Sequence, residues 1–350
     1  MSQTHREIID TPNALMRTID YLEQEWLAVQ CFLCGKKRFV FLGCGSSYSL
    51  ARSMSVMTGM HTGLPSVALA AGDLLLHAPR YARLLSGATV ICISRSGYTS
   101  EMLMALDAVK SFGIFPAAIV YAENTPLASR CELTLCMPWA FDKSVCQTRS
   151  ISNFYFTAAY VLAKKTDNQT LMADLSHIAE NSRAFLSEAE RLASEVAARP
   201  WTQCVALADA ELEGIADEGA LAFKEICQLP SNYYHLLDAR HGPMVIFNEN
   251  TLLIAAPGQK DPLELNFLEE MREKGAHVIA VSDTPIDIQG IINLPYGRDL
   301  THIALGLPLI ILCQTLAYYK VPYTGANPDR PAGLDAWISL DKKRGTETHA

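Results

Sequence analysis

Two stretches of the chain set hydroxyls and glycines just ahead of a helical pattern. FVFLGCGSSYSL carries Gly43, Gly45, Ser46 and Ser47, and VICISRSGYTSEML carries Ser94, Arg95, Ser96, Gly97 and Thr99. Each runs from an apolar segment through a small polar loop into a helix. A helix start offers unpaired N–H groups and a partial positive charge, so hydroxyl-rich loops placed there suit a phosphate monoester. One such loop alone would do no more than cap its helix. Two in one half of the chain, with five hydroxyls between them, favour anion binding. GCGSSY lacks the third glycine of a dinucleotide loop, and neither stretch has the lysine of a Walker loop, so nucleotide hydrolysis is not expected.

Proton transfer needs other residue types, and a carboxylate and an imidazole serve well. Glu225 in ALAFKEICQL and His241 ahead of Gly242-Pro243 are of those types. Taken alone, Glu225 reads as a solvent-facing helix position and His241 as a loop histidine bonded to its own backbone. Cys31 and Cys34 form a CxxC, but no second ligand pair follows at zinc-site spacing, so they read as two buried thiols. The nine histidines show no HxH or HxxxH arrangement, and no metal site is expected.

The elements that must hold these residues follow from periodicity. Residues 14–30 have helical spacing. RFVFLG, SVALAA, ATVICIS, AAIVYAEN and ELTLCMP read as short buried strands, with helices YSLARSMSVMTGM and TSEMLMALDAVKSFG between them. Strands alternating with helices imply βαβ units and a parallel sheet covered on both faces. From Ser152 to about Arg199 the pattern turns to long helices with a charged, solvated face. A second series follows: CVALAD, the helix GIADEGALAFKEICQL, VIFN, TLLIAAPG, the helix LELNFLEEMREKG, HVIAVSD and the helix IALGLPLIILCQTLAYYK. The expected fold is α/β, with two doubly wound, flavodoxin-like parallel-sheet domains joined by a helical connector. The divisions are 1–30 (N-terminal helical segment), 31–165 (first domain), 166–199 (connector), 200–325 (second domain) and 326–350 (a tail packed over an existing surface).

Composition narrows the function. The 350 residues are 49% apolar and 19% charged, with a net charge of −8. That balance argues against a nucleic-acid surface, which needs clustered Lys and Arg. No apolar signal segment opens the chain, and no run reaches the ~18 residues of a membrane span. Ten cysteines scattered through core-like segments fit a reducing cytoplasm.

GCGSSY followed by SRSGYTSE resembles the phosphosugar signature of the SIS (sugar isomerase) family. The wider pattern resembles the isomerase half of glucosamine-6-phosphate synthase, the aminosugar-phosphate deaminases and the fructosamine-6-phosphate deglycases. EIIDTPNAL is similar to that group's opening segment and SVCQTRS (144–150) to its third ligand loop. EGALAFKEI (218–226) and ARHGPMVIF (239–247) resemble its catalytic region, and NPDRPAGL (327–334) its closing tail. The resemblance implies a sugar phosphate as ligand. Gly45, Ser46, Ser47, Ser94, Arg95, Ser96 and Thr99 would hold its phosphate, and Gln147 would line the sugar site. It makes Glu225 the enolisation base and His241 the ring-opening histidine, reaching the active site of a neighbouring subunit in a homodimer or higher homo-oligomer. No cofactor is implied, since the substrate carbonyl serves as electron sink.

This sequence also departs from the synthase pattern. Ala222 and Ala336 stand where the synthase-type isomerase has lysines, and Arg149 replaces another. Ala208 and Ala210 replace glycines of the second-half loop, which is therefore not expected to bind phosphate. No glutaminase segment or N-terminal nucleophilic cysteine precedes the sugar domains, so glutamine-dependent synthesis is not expected. The expected activity is deamination or deglycation of a phosphorylated aminosugar or fructosamine through aldose–ketose isomerisation. The rivals are a plain ketose/aldose-phosphate isomerase and a non-catalytic sugar-phosphate regulator.

Overall fold

The computed structural model describes residues 1–340; the last ten residues of the expected tail lie outside the described ones. The first half comprises α1 (Gln3–Leu33), β1 (Phe39–Gly43), α2 (Ser46–Thr62), β2 (Ser66–Ala70), α3 (Ala71–Leu85), β3 (Thr89–Ser94), α4 (Ser100–Ser111), β4 (Ala117–Val120), β5 (Leu133–Cys136) and α5 (Arg149–Lys165). After α6 (Gln169–Ala197), the second half comprises β6 (Gln203–Leu207), α7 (Glu213–Ile226), β7 (Ser231–Tyr234), β8 (Thr251–Ala255), α8 (Pro262–Glu273), β9 (His277–Ser282), β10 (Ile292–Pro295) and α9 (His302–Thr324).

The strands form two five-stranded sheets, ordered β2-β1-β3-β4-β5 and β10-β9-β8-β6-β7, and every pairing is parallel. The fold is α/β with two doubly wound sheets. In the first sheet β1 pairs with β3 in register, Phe39 with Thr89 through Leu42 with Cys92. The chain direction of winding reverses between these strands, and a crevice opens at their carboxyl ends. The two hydroxyl loops leave β1 and β3 there, side by side.

One apolar core runs through both halves. It joins the inner faces of the sheets through α1, α2, α5, α6, α7 and α9, so a shared helical layer lies between the sheets. A second cluster packs α3 and α4 on the outer face of the first sheet, and a third packs α8 on the outer face of the second. α6 is therefore more than a connector. Leu175, Ile178, Phe185, Leu186, Leu192 and Val196 form its buried stripe, together with Asp174, which accepts from Arg298 and from Thr301 N.

Four details differ from the sequence reading. VIFN is no strand: Pro243–Ile246 is a single 3-10 turn, started by Gly242, with Val245 and Ile246 exposed. Two short edge strands, SNYY (β7) and INLP (β10), escape detection because edge strands pair on one side only and carry polar residues. Cys31 and Cys34 are exposed, because Phe32 and Leu33 between them take the buried positions. Finally, α9 has 23 residues and a mean hydropathy of 1.5 in its most apolar window, which is long and apolar enough to span a bilayer. Of that window 83% is buried within the protein, as suits a central core helix.

Candidate functional site

α2 starts directly after β1, with Gly45 as N-cap at φ +51°, a left-handed conformation that glycine adopts at no steric cost. Neither Gly45 nor Thr99, the N-cap of α4, supplies a side-chain cap. In the second loop Gly97 N donates to Ser94 Oγ at 3.0 Å, and Tyr98 N donates to Ser96 Oγ at 3.2 Å. Each hydroxyl thus accepts from backbone and keeps its own proton free to donate.

These groups border a small cavity of about 50 Å³, lined by Cys44, Ser47, Ile93, Ser94, Arg95, Ser96, Thr99, Met102, Gln147 and Ala336. Six of the residues expected to bind substrate are thereby brought together: Ser47, Ser94, Arg95, Ser96, Thr99 and Gln147. Gly45 shapes the loop. Ser46 is absent from the lining; it is buried and lies close enough to Glu218 of α7 to lower that carboxyl's pKa.

Gln147 is delivered by a loop built on buried carboxylates. Glu7 of α1 accepts from Lys143 N at 2.6 Å and from Ser144 N and Oγ. Asp142 accepts from Thr148 N at 2.7 Å and from Ser150 N at 2.9 Å. Burial first, then the nearby Glu7, push the Asp142 carboxyl up to about 6. Arg149, at the start of α5, pairs with Asp10 and Asp142 and therefore braces the loop. The tail closes the arrangement. Asp329 accepts from Gln3 N and Thr4 N at the start of α1, where a carboxylate complements the helix dipole. Ser100 N donates to Ile338 O at 3.2 Å, and Trp337 lies against Tyr98 with ring centroids 6.2 Å apart.

Arg95 is the keystone of this wall. Its guanidinium donates to Ser144 O and Val145 O at 3.0 Å each and to Ala336 O at 2.5 Å. Burial lowers its pKa, while Asp142, Glu225 and Glu7 oppose that shift. The β3 loop, the third loop and the tail are thus tied by one side chain.

α7 brings two carboxyls toward this wall from the second half. Burial pushes Glu225 up to about 7, against the pull of Arg95. Its charge is felt by Arg95 and by Cys146, the neighbour of Gln147. Glu218, two helical turns earlier on the same face, is 1% exposed and has no partner for Oε2. Burial and then Glu225 hold it well above the usual carboxylate range, while Ser46 works the other way. Sequence reasoning missed Glu218; the signal was its i, i+7 spacing from Glu225 among small residues. Ala222, between them, is buried.

His241 is not brought to this cavity. It is exposed and lines a separate pocket with Leu237, Arg240, Leu263, Asn266 and Glu270. In the second half, the loop after β6 has no phosphate cradle of the first kind. Asp209 fills its mouth, accepting from Leu236 N at 3.1 Å and contacting His235 at 3.1 Å. Among the described residues, no three His, Cys, Asp or Glu side chains are grouped to hold a metal ion.

Comparison with known proteins agrees with this geometry. The family model described as "SIS domain" matches residues 32–163, the segment that carries both hydroxyl loops and Gln147. That match lies within the first half of the chain, from the end of α1 to α5. A D-galactosamine-6-phosphate deaminase of Escherichia coli is 24% identical over 94% of this chain and 91% of its own length. A probable glutamine–fructose-6-phosphate aminotransferase (isomerizing) of Acanthamoeba polyphaga mimivirus is 26% identical over 97% of this chain and 58% of its own length. The chain thus spans little more than half the length of the aminotransferase relatives it matches first. The crystal structure of a tagatose-6-phosphate ketose/aldose isomerase from Escherichia coli superposes with a TM-score of 0.84, at 23% identity, covering 96% of this chain and 98% of that one. The second half of the chain, beyond the matched segment, shares the fold of that crystal structure as well.

Proposed function

We propose that this chain is an enzyme that binds a phosphorylated aminosugar or fructosamine and releases its nitrogen through an aldose–ketose isomerisation mechanism. The observation that carries the proposal is Glu225, a carboxyl poised near neutrality within electrostatic reach of a buried hydroxyl-lined cavity. A base with a pKa near working pH gives and takes a proton with little penalty in either direction. The hydroxyl loops hold the phosphate, and that fixed end orients the reacting carbons.

On an open-chain 2-amino sugar phosphate, Glu225 removes the proton from C2 and returns it at C1. The amine-bearing carbon then becomes an imine, which water hydrolyses to a ketose phosphate and ammonia. Ring opening falls to His241, which is exposed and remote from Glu225 of its own chain, and so serves the site of a second copy. Val245, Ile246 and Leu263 around it are 77%, 50% and 62% exposed, an apolar rim suited to a homodimer interface. The chemistry needs no cofactor. The deaminase relative that matches this chain over nearly its full length supports the nitrogen-releasing reading over a plain isomerase.

The test is a panel of galactosamine 6-phosphate, glucosamine 6-phosphate and fructosamine 6-phosphates, with ammonia, amine and ketose or aldose phosphate measured together. Stoichiometric release of nitrogen, with a ketose phosphate from the 2-amino sugars or an aldose phosphate from the fructosamines, is the expected result. Interconversion of plain sugar phosphates with no nitrogen released from any amine substrate would sink it.

A further inference from the structure

The first two turns of α1 contribute nothing to the lining of the hydroxyl cavity, yet they hold two segments that close it. Glu7 is 1% exposed and accepts from Lys143 N at 2.6 Å, Ser144 N at 3.3 Å, Ser144 Oγ, and Gln3 Nε2 at 2.8 Å. One turn earlier, the Asp329 carboxylate of the tail accepts from Gln3 N at 2.9 Å and Thr4 N at 2.8 Å. The carbonyl of the same Asp329 accepts from Val145 N at 3.0 Å. The start of α1, the tail and residues 143–145 therefore meet at one node.

Gln147, which lines the cavity, lies just beyond that node. Ser144 Oγ also lies 2.9 Å from Cys146 O, the carbonyl of the peptide that leads into Gln147. After Gln147 the chain is pinned again. Thr148 N and Ser150 N donate to Asp142, and Gln314 Nε2 of α9 donates to Thr148 O at 2.9 Å. Gln147 thus spans the gap between two anchors, and Glu7 is the first of them. A buried carboxylate is costly to desolvate, and an apolar side chain would close the same gap at less cost. What the carboxylate adds is geometry, because its oxygens hold three donors of one loop in a single arrangement.

We propose, on the sugar-phosphate reading of the cavity, that Glu7 is a positioning residue. Through Ser144 and Cys146 it sets Gln147 against the sugar end of the ligand, while the hydroxyl loops hold the phosphate without it.

The test measures affinity by calorimetry on the full chain carrying Glu225→Gln, which on the proposed mechanism binds substrate without turning it over. The probes are inorganic phosphate, galactosamine 6-phosphate and glucosamine 6-phosphate. Glu7→Gln keeps the size of the side chain and removes its charge. It is expected to weaken the better-bound sugar phosphate about 10-fold and to leave inorganic phosphate unchanged. Gln147→Ala is expected to do the same. The two substitutions together are expected to cost about 10-fold rather than about 100-fold, because Glu7 acts through Gln147. Should Glu7→Gln fold poorly, Ser144→Ala removes only the hydroxyl and is expected to weaken the sugar phosphate about 3-fold, again sparing phosphate. Equal weakening of phosphate and sugar phosphate would mean a general loosening of the wall and would overturn the proposal. Additive losses in the double variant, or no loss on changing Glu7, would overturn it too. A parent chain that binds neither sugar phosphate more tightly than inorganic phosphate would sink the sugar-phosphate reading and this proposal with it. Failure of the Glu7 assignment alone would show only in the variants.

Discussion

A half-buried carboxyl whose desolvation pushes it up to about 7 is both a chemical asset and a cost to the fold, and Glu225 allows the two to be measured separately. In the proposed mechanism its ionised form is the proton acceptor, so kcat/KM on an amine-bearing sugar phosphate is expected to rise with pH and level off above about 7. Glu225→Gln is expected to lower kcat by roughly 10²- to 10⁴-fold and to abolish that rise. The stability effect has the opposite sense. An unfolded glutamate loses its proton near 4.5, before the folded one does, so this group destabilises the fold progressively as pH climbs from about 4.5 to 7. The Gln variant should therefore melt at or above wild type at pH 8, by a few degrees, with the gap closing by pH 4. A variant that melts well below wild type at pH 8 would contradict the assigned burial. Ser96→Ala tests the anion loop: loss of one hydroxyl donor is expected to weaken inorganic phosphate binding about 10-fold, read by calorimetry. The types of these residues were legible in the sequence. What the sequence withheld was their partners: Ser46 facing Glu218, Arg95 clamping three carbonyls, and Glu7 supporting a loop far along the chain. Such contacts depend on tertiary approach, which local pattern does not encode.

Elements with strong periodicity were read well for a physical reason. Central parallel strands are buried on both faces and appear as continuous apolar runs, whereas β7 and β10 are edges and the Gly242-Pro243 turn only mimics a strand in composition. The halves are also held by a polar tie that no pattern announces. Glu211, in the loop after β6, accepts from His302 of α9 at 2.8 Å and from His61 of α2 at 2.6 Å. Burial raises its pKa, but the bonds to His302 and His61 outweigh that and bring it down to about 2. A depressed carboxylate contributes stability above its unfolded value and loses it as pH falls through the folded one. Wild type should thus shed on the order of 3 kcal/mol between about pH 4.5 and pH 2 from this group. Glu211→Gln should be weaker by a similar amount at pH 7 and flatter across that acid range, as read by denaturant titration. Equal acid slopes in the two proteins would show that the tie carries no net stability.

At the scale of the molecule, the shared helical layer explains how motifs from opposite ends of the chain serve one cavity. α2 and α7 cross so closely at Gly214 that a Cβ there would meet the Ser49 carbonyl, and this contact brings Glu218 and Glu225 toward the hydroxyl loops. The same arrangement leaves His241 outside, on an exposed apolar rim, so within one chain the hydroxyl loops and the proposed base lie apart from the proposed ring-opening imidazole. If the active site is completed by a second copy, subunits inactivated at different residues should rescue each other. A dimer of one Glu225→Gln chain and one His241→Ala chain has one site with both defects and one with neither. Mixing the two variants 1:1 with random exchange makes half the dimers of this kind, so about a quarter of wild-type activity should return. If each chain supplied its own His241, every site in every mixed dimer would keep one defect, and activity would stay at the level of the separate variants. Recovery that grows as subunits exchange, followed by ultracentrifugation of the same samples, would place both residues in one shared site.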